Sequence, residues 1–192
     1  MLAPARIRLI AISATPEFAA AYFSEYLNYI FCGQMECVND AKATYFIQDV
    51  ISAIEDGTFA PVEKRRYWCY TKYINEALAI EAMARAKGFK TIALWSENNI
   101  QHRTLYTEEK ARITKIIQDE HYVPEQYNFI VTTGVLGRGV DIFDTTIQDW
   151  ICNSKDYADI VQSNRARFSP DHRYLLKGTE GWVEFVQNGF AA

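Results

Sequence analysis

The sequence predicts an α/β fold of three layers, with one mainly parallel sheet flanked by helices. Three observations carry that expectation. From residue 64 onward, short apolar runs alternate with segments of helical periodicity, the pattern of successive βαβ units. The apolar run Tyr127-Asn128-Phe129-Ile130-Val131 feeds directly into a stretch with three glycines, Thr132 to Ile142, as where a buried strand meets a ligand-facing turn. At 192 residues, 49% hydrophobic and 23% charged, the chain is long enough for one well-buried domain. No internal repeat, low-complexity tract or proline-rich linker interrupts the series.

The elements follow in order. Residues 6–12 (RIRLIAI) read as a short strand ending at Ser13-Ala14-Thr15-Pro16. Pro16 suits the first turn of a helix capped by Thr15, over residues 16–30. Residues 43–54 fit either a strand followed by a helix or a single helix, ended by Asp56-Gly57. Residues 66–71 (RYWCYT) are a strand, and residues 75–86 a helix with Ala79, Ile80, Met83 and Ala84 near period 3.6, closed by Lys87-Gly88. Residues 91–95 form the next strand, and residues 108–120 an amphipathic helix carrying Ala111, Ile113, Ile116 and Ile117. Strands at 127–131, 147–152 and 173–176 complete the series, with a helix at 157–165.

A net charge of −4 gives no basic footprint over the whole chain, which argues against a free-standing nucleic-acid binder but leaves room for a local arginine stripe. The four cysteines (Cys32, Cys37, Cys69, Cys152) form no CxxC pair, and His102, His121 and His172 do not stand at zinc-finger spacing from them. Reduced thiols in the cytoplasm are the expectation. Arg6 and Arg8 interrupt the first apolar run, so no signal peptide is read, and no apolar stretch approaches the ~20 residues of a membrane span. Most of the aromatic residues, Trp95, Trp150 and Tyr67 among them, fall in strand segments where core burial is expected.

Four stretches, in this order along the chain, carry a family resemblance. They are Ser13-Ala14-Thr15, Tyr67 to Thr71 with the following helix and Gly88, Thr133 to Asp141, and Gln162 to Arg167. Together they resemble motifs III, IV, V and VI of a superfamily 2 (DEAD/DEAH-like) helicase. The chain is thus similar to the second, C-terminal RecA-like domain preceded by a motif III fragment. The resemblance implies a P-loop NTPase-type fold lacking the phosphate loop. It divides the chain into a leading segment, 1–63, with the Ser-Ala-Thr tripeptide and a linker, and a C-terminal RecA-like domain, 64–192.

The same resemblance implies roles. Ser13 and Thr15 would couple hydrolysis to strand movement; Thr71, Thr132 and Thr133 would contact a nucleic-acid backbone. Arg138, Gly139 and Asp141 would lie at the nucleotide cleft. Arg138 would bridge two domains, Gly139 would permit close backbone approach, and Asp141 would reach the ribose. Arg165 first, and Arg167 second, would act as arginine fingers toward a γ-phosphate, with Gln162 beside them. A planar guanidinium suits that work because it offers a fork of donors to a phosphoryl group in transfer. Gly134 stands where many family members carry aspartate, and the motif VI stretch lacks the familiar glycine and is one residue short between Gln162 and Arg165. Taken alone, Thr15 and Thr71 also read as capping hydroxyls, and the two arginines as a solvated helix end.

The sequence contains no GK[ST] phosphate loop. Asp119-Glu120-His121 lies between the motif IV and motif V stretches and follows helical rather than strand periodicity, so no metal site is assigned there. The chain alone is therefore not expected to hydrolyse ATP. ATP and Mg2+ belong to a complete motor, in which an N-terminal RecA-like domain, from the same parent chain or a split partner, holds the phosphates. The further partner is a DNA or RNA single strand, with no membrane. Two other readings compete: a non-catalytic nucleic-acid- or protein-binding module of the same fold, and an unrelated doubly wound enzyme that binds a small phosphorylated ligand.

Overall fold

A computed structural model describes residues 43–134, 136, 140, 142–156, 159–160 and 173–178. The expected strand at 6–12, the helix at 16–30 and most of the helix at 157–165 lie outside them. Among the described residues six strands form one sheet in the order β1-β6-β5-β2-β4-β3, every pairing parallel. The strands are β1 (Ala43–Ile47), β2 (Tyr67–Tyr70), β3 (Thr91–Leu94), β4 (Phe129–Thr132), β5 (Asp149–Cys152) and β6 (Arg173–Lys177). The helices are α1 (Val50–Glu55), α2 (Ile74–Ala86) and α3 (Glu108–Glu120), with a 3-10 segment at Ile100–Leu105.

Residues 43–55 resolve into a strand and a helix, not one helix. Asp49 decides the break, because its carboxylate accepts from Ser52 N at 2.9 Å and caps α1. β1 then pairs with β6 from Ala43↔Arg173 to Ile47↔Lys177. Residues assigned by sequence to the leading segment thus complete one edge of the sheet. At the other helix ends, Gly88 takes φ +89° just after α2, as its place behind Lys87 predicts. Thr107 caps α3, accepting from Lys110 N at 3.3 Å.

Strand period sorts side chains into two cores, one on each face of the sheet. Tyr67, Cys69, Phe129, Val131, Ala93, Ile151 and Leu175 point to one face, where they meet Ala53, Ile54, Ala77, Ile80 and Ala84 of α1 and α2. Trp68, Tyr70, Ile130, Leu94, Trp150 and Leu176 point to the other, against Ile113 and Ile117 of α3. This is the three-layer α/β architecture the periodicity predicts. Two helix positions differ from expectation. Ala79 stays exposed, while Glu81 takes a buried place because its carboxylate pairs with Arg85 at 2.9 Å and with Lys110 at 3.3 Å. Lys110 is itself enclosed, donating to the Ala93 carbonyl at 2.9 Å and standing 4.2 Å from the Trp95 ring centre.

Among the described residues no helix is long and apolar enough to cross a membrane. Cys69 and Cys152, one register step apart on β2 and β5, pack on opposite faces of the sheet, are buried and are not joined in a disulfide.

The buried acids of the sheet make stability fall in alkali. Burial pushes the Cys69 thiol well above its ordinary 9.0 and the Tyr67 phenol above 10.0. Burial and a hydrogen bond to Glu109 raise Tyr127 likewise. Each group is held neutral in the folded state, so its contribution is complete below the unfolded value and is lost as pH climbs above it. Lys110, lowered by burial, runs the opposite way, gaining stability up to 10.5, but it is one group against three. The melting temperature is expected to drop steadily above pH 9, by at most about 1.4 kcal/mol of stability per pH unit and group. Thermal melts of Cys69→Ala should lack the part of the loss that begins near pH 9. A flat profile from pH 8 to 10.5 would contradict the assignment.

Candidate functional site

The connection leaving β2 runs to β3, on one side of it, while the connection leaving β5 runs to β6, on the other side. Adjacent strands whose connections diverge leave a crevice at their carboxyl ends, the place where open α/β sheets bind ligands. A cleft of about 290 Å³ lies there, lined by Lys72, Tyr73 and Glu76 after β2, by residues 153–156 after β5, and by Lys177 at the end of β6.

Glu76 in the first turn of α2 is the hub of this cleft. Its Oε2 accepts the Thr71 hydroxyl; its Oε1 accepts Asn153 Nδ2 at 2.8 Å and pairs with Lys177 Nζ at 3.4 Å. Three strand ends are thereby tied to one carboxylate. Asn153 also accepts Val50 N at 3.3 Å, linking the start of α1 to the same point. On the rim Lys72 Nζ meets Asp156 at 3.2 Å, with both side chains more than two-fifths exposed, an arrangement worth little in stability and easily exchanged for a ligand.

A second, buried node stands beside it. Asp159, fully enclosed, accepts Tyr70 OH at 3.0 Å and Ser154 Oγ at 2.7 Å. Ser154 Oγ in turn accepts Asp156 N at 3.1 Å. The chain that leads toward Gln162 and Arg165 is thus anchored under the ends of β2 and β5.

Of the residues singled out from sequence, the three threonines are described. Thr71 is fully buried, with its hydroxyl spent on Glu76 and its N–H on the Thr132 carbonyl at 2.9 Å. Thr132 is fully buried as well, its hydroxyl donating to the Cys69 carbonyl at 3.5 Å. In this arrangement both hydroxyls serve the protein's own frame, Thr71 just past the end of β2 and Thr132 as the last residue of β4. Thr133 is 7% exposed and gives its N–H to the Leu94 carbonyl at 3.1 Å. Ser13, Thr15, Arg138, Gly139, Asp141, Gln162, Arg165 and Arg167 lie outside the described residues. Gly134 is open around its missing side chain, with nothing within 4 Å of a Cβ built there, so the aspartate many helicases carry has room. Asp119 and Glu120 fall in the last turn of α3, as their periodicity predicts.

Sequence reading missed Glu76, Asn153, Asp159 and Lys177. The available signal was positional: Asn153 and Ser154 directly follow an expected strand, and polar residues at that spot face the ligand edge.

Neither a protein-family sequence model nor a curated protein sequence matches this chain. Solved structures do. The structure of the C-terminal domain of the DEAD-box protein Dbp5 superposes with a TM-score of 0.54 at 15% identity, over 80% of this chain and 87% of that one. Saccharomyces cerevisiae Dbp5 bound to RNA and ADP BeF3 matches with a TM-score of 0.53 at 13% identity, over 79% of this chain. The fold is that of a helicase C-terminal RecA-like domain. The match covers only 39% of the RNA-bound Dbp5 chain, against 87% of the isolated C-terminal domain. The RecA-like sheet explains why the cleft lies where it does: in this strand order the β2/β5 switch point opens on the carboxyl edge, above Cys69 and Cys152.

Proposed function

We propose that this chain is the C-terminal motor domain of a nucleic-acid-dependent ATPase or helicase. The observation that carries the reading is the polar cleft at the switch point of a RecA-like sheet, between the ends of β2 and β5. Lys72, Lys155, Lys177 and the Asn153 amide give that edge donors suited to phosphate oxygens. A chain without a GK[ST] loop does not grip β- and γ-phosphates, so in the complete motor ATP and Mg2+ are held by an N-terminal RecA-like domain. ATP supplies the phosphoryl group that passes to water. This chain contributes Arg165 or Arg167, with Gln162, to the γ-phosphate side, and Arg138, Gly139 and Asp141 to the nucleotide cleft. Thr133, with Thr71 and Thr132 behind it, faces the backbone of a single strand, and Ser13 and Thr15 belong to the coupling segment. The work is placed in the cytoplasm.

The test is complementation. Added to a cognate N-terminal RecA-like domain, the chain should restore ATP hydrolysis stimulated by single-stranded nucleic acid. No hydrolysis with any such partner, together with no strand binding by the chain, would end this reading.

A non-catalytic binding module is favoured by one specific observation: Glu76 already occupies the donors of Thr71, Asn153 and Lys177. Removing its charge addresses both readings. Glu76→Gln should bind a labelled oligo-uridine about tenfold more tightly than the unaltered chain at low salt, because a negative group leaves the phosphate path. Affinity should fall steeply with added salt in both proteins. Strand binding by the chain without any ATPase after complementation selects the binding module. Equal or weaker binding by Glu76→Gln places the strand elsewhere.

A further inference from the structure

Tyr73 occupies a position that its residue type does not suit. It is the N-cap of α2, where serine, threonine, aspartate or asparagine would accept a backbone N–H, and its side chain makes no cap hydrogen bond. That side chain is 64% exposed, and among the described residues its ring and hydroxyl have no hydrogen-bond, ionic or aromatic partner. An aromatic that neither caps its helix nor packs into a core adds little to the fold, and a residue that breaks a local rule without structural gain points to a ligand.

Its surroundings suit a chain of phosphates. Tyr73 borders the switch-point cleft with Lys72, Lys155 and Lys177, which face the carboxylates of Glu76 and Asp156. Lys155 is exposed, and its ammonium has no partner among the described residues. Lys72 is held only by its solvent-exposed pair with Asp156. The helix start that carries the ring is anchored from two directions. Asn75 Oδ1 lies 2.8 Å from His102 Nε2, beyond the end of β3, and Glu76 ties the same turn to Asn153 after β5 and to Lys177 of β6. A ring on so fixed a turn loses little backbone freedom on meeting a ligand.

We propose that Tyr73 is a stacking platform for one base of a single-stranded nucleic acid whose phosphates pass Lys155 and Lys72. Cations beside a backbone do not register whether bases are present, whereas a flat ring at the edge of the path does. Stacking accepts any base, because each has a π-face. This role rests on the strand-binding part of the proposed function and names the residue that meets the base.

The full chain titrated at low salt with oligo-uridine, and with an abasic oligomer of equal length that keeps the phosphates, tests this. Oligo-uridine should bind about tenfold more tightly than the abasic strand, the scale of one stacked base. Tyr73→Ser should bind both strands alike, yet melt no lower than the unaltered chain, because serine can cap α2. Tyr73→Trp should keep the preference. So should Tyr122→Ala, which removes a 41% exposed tyrosine beyond the far end of α3. Lys155→Ala should weaken both strands by the same factor. In nuclear magnetic resonance spectra the Tyr73 ring protons should move upfield as oligo-uridine saturates, and stay in place with the abasic strand. Full displacement of oligo-uridine by uridine monophosphate at equal nucleotide concentration would assign the ring to a free nucleotide and overturn the proposal. An unchanged preference in Tyr73→Ser, or an equal loss on both strands, overturns the stacking role while the strand reading stands. Binding of neither strand by the unaltered chain overturns both.

Discussion

Replacing Arg66 by alanine is expected to cost about 3–5 kcal/mol of stability, the usual penalty for stripping one partner from a buried charged network. Arg66 is 7% exposed and its guanidinium donates in every direction. Nε reaches the Tyr127 carbonyl at 3.1 Å, and Nη2 the carbonyls of Val123 at 2.9 Å and Pro124 at 3.0 Å. Nη1 meets Asp144 at 3.1 Å and Thr146 Oγ1 at 2.5 Å. The side chain therefore ties the turn between α3 and β4 to the loop before β5. Alanine strips the buried carbonyls of Val123 and Tyr127 of the donor that Arg66 gives them and leaves the largely enclosed Asp144 carboxylate without its cation. Against a total stability of roughly 5–15 kcal/mol, such a loss takes at least about a fifth of what holds a domain together. Lysine keeps the charge but not the fork of donors, so Arg66→Lys should recover only part of it. Urea denaturation of the two variants measures both effects. A loss below about 1 kcal/mol for Arg66→Ala, within the range of ordinary surface substitutions, would show the network to be replaceable by water.

The second large effect belongs to catalysis. In the complemented motor, Arg165→Ala is expected to lower the rate of ATP hydrolysis by roughly 10³-fold or more, the scale on which arginine fingers act in phosphoryl transfer. On the proposed function the reason is electrostatic: an arginine finger stabilises charge that builds on the transferring group and makes little contact before that moment. The loss should therefore appear in kcat, with KM for ATP and strand affinity nearly unchanged. Arg167→Ala separates the two candidates, since only the residue that meets the phosphoryl group gives the full loss. Asp159→Asn offers a further check, because Asp159 anchors the chain upstream of Arg165 through Tyr70 and Ser154. It should give a smaller loss of the same kind. Full activity in both arginine variants would remove the finger role from this stretch.

Much of the fold is legible in the sequence because the signals are local. Tyr67 to Tyr70, Phe129 to Thr132 and Asp149 to Cys152 are buried along their whole length, and continuous apolar runs announce that. The α3 boundaries agree with the reading because Thr107 caps the helix and a left-handed His121 closes it. Residues 43–55 were ambiguous because a short apolar run suits strand or helix equally, and only pairing with β6 settles it. The site was less legible. Glu76 is separated from Asn153 by 77 positions and from Lys177 by 101, and no spacing rule connects a first-turn glutamate to the ends of two later strands.

Arg65 and Arg66 mark the division between the two levels. The amino-acid order alone determines the alternation of strands and helices and the parallel three-layer class, because hydrophobic period and turn chemistry act over a few residues. It does not separate two neighbouring arginines. Strand pleat turns one into a buried web of carbonyls and the other onto Asp149 at an open cleft. The same holds for Thr71, whose hydroxyl is directed to Glu76 rather than outward. Which polar group is spent internally and which is left for a ligand depends on partners brought together across the sheet, and those contacts exist only once the strands have taken their order.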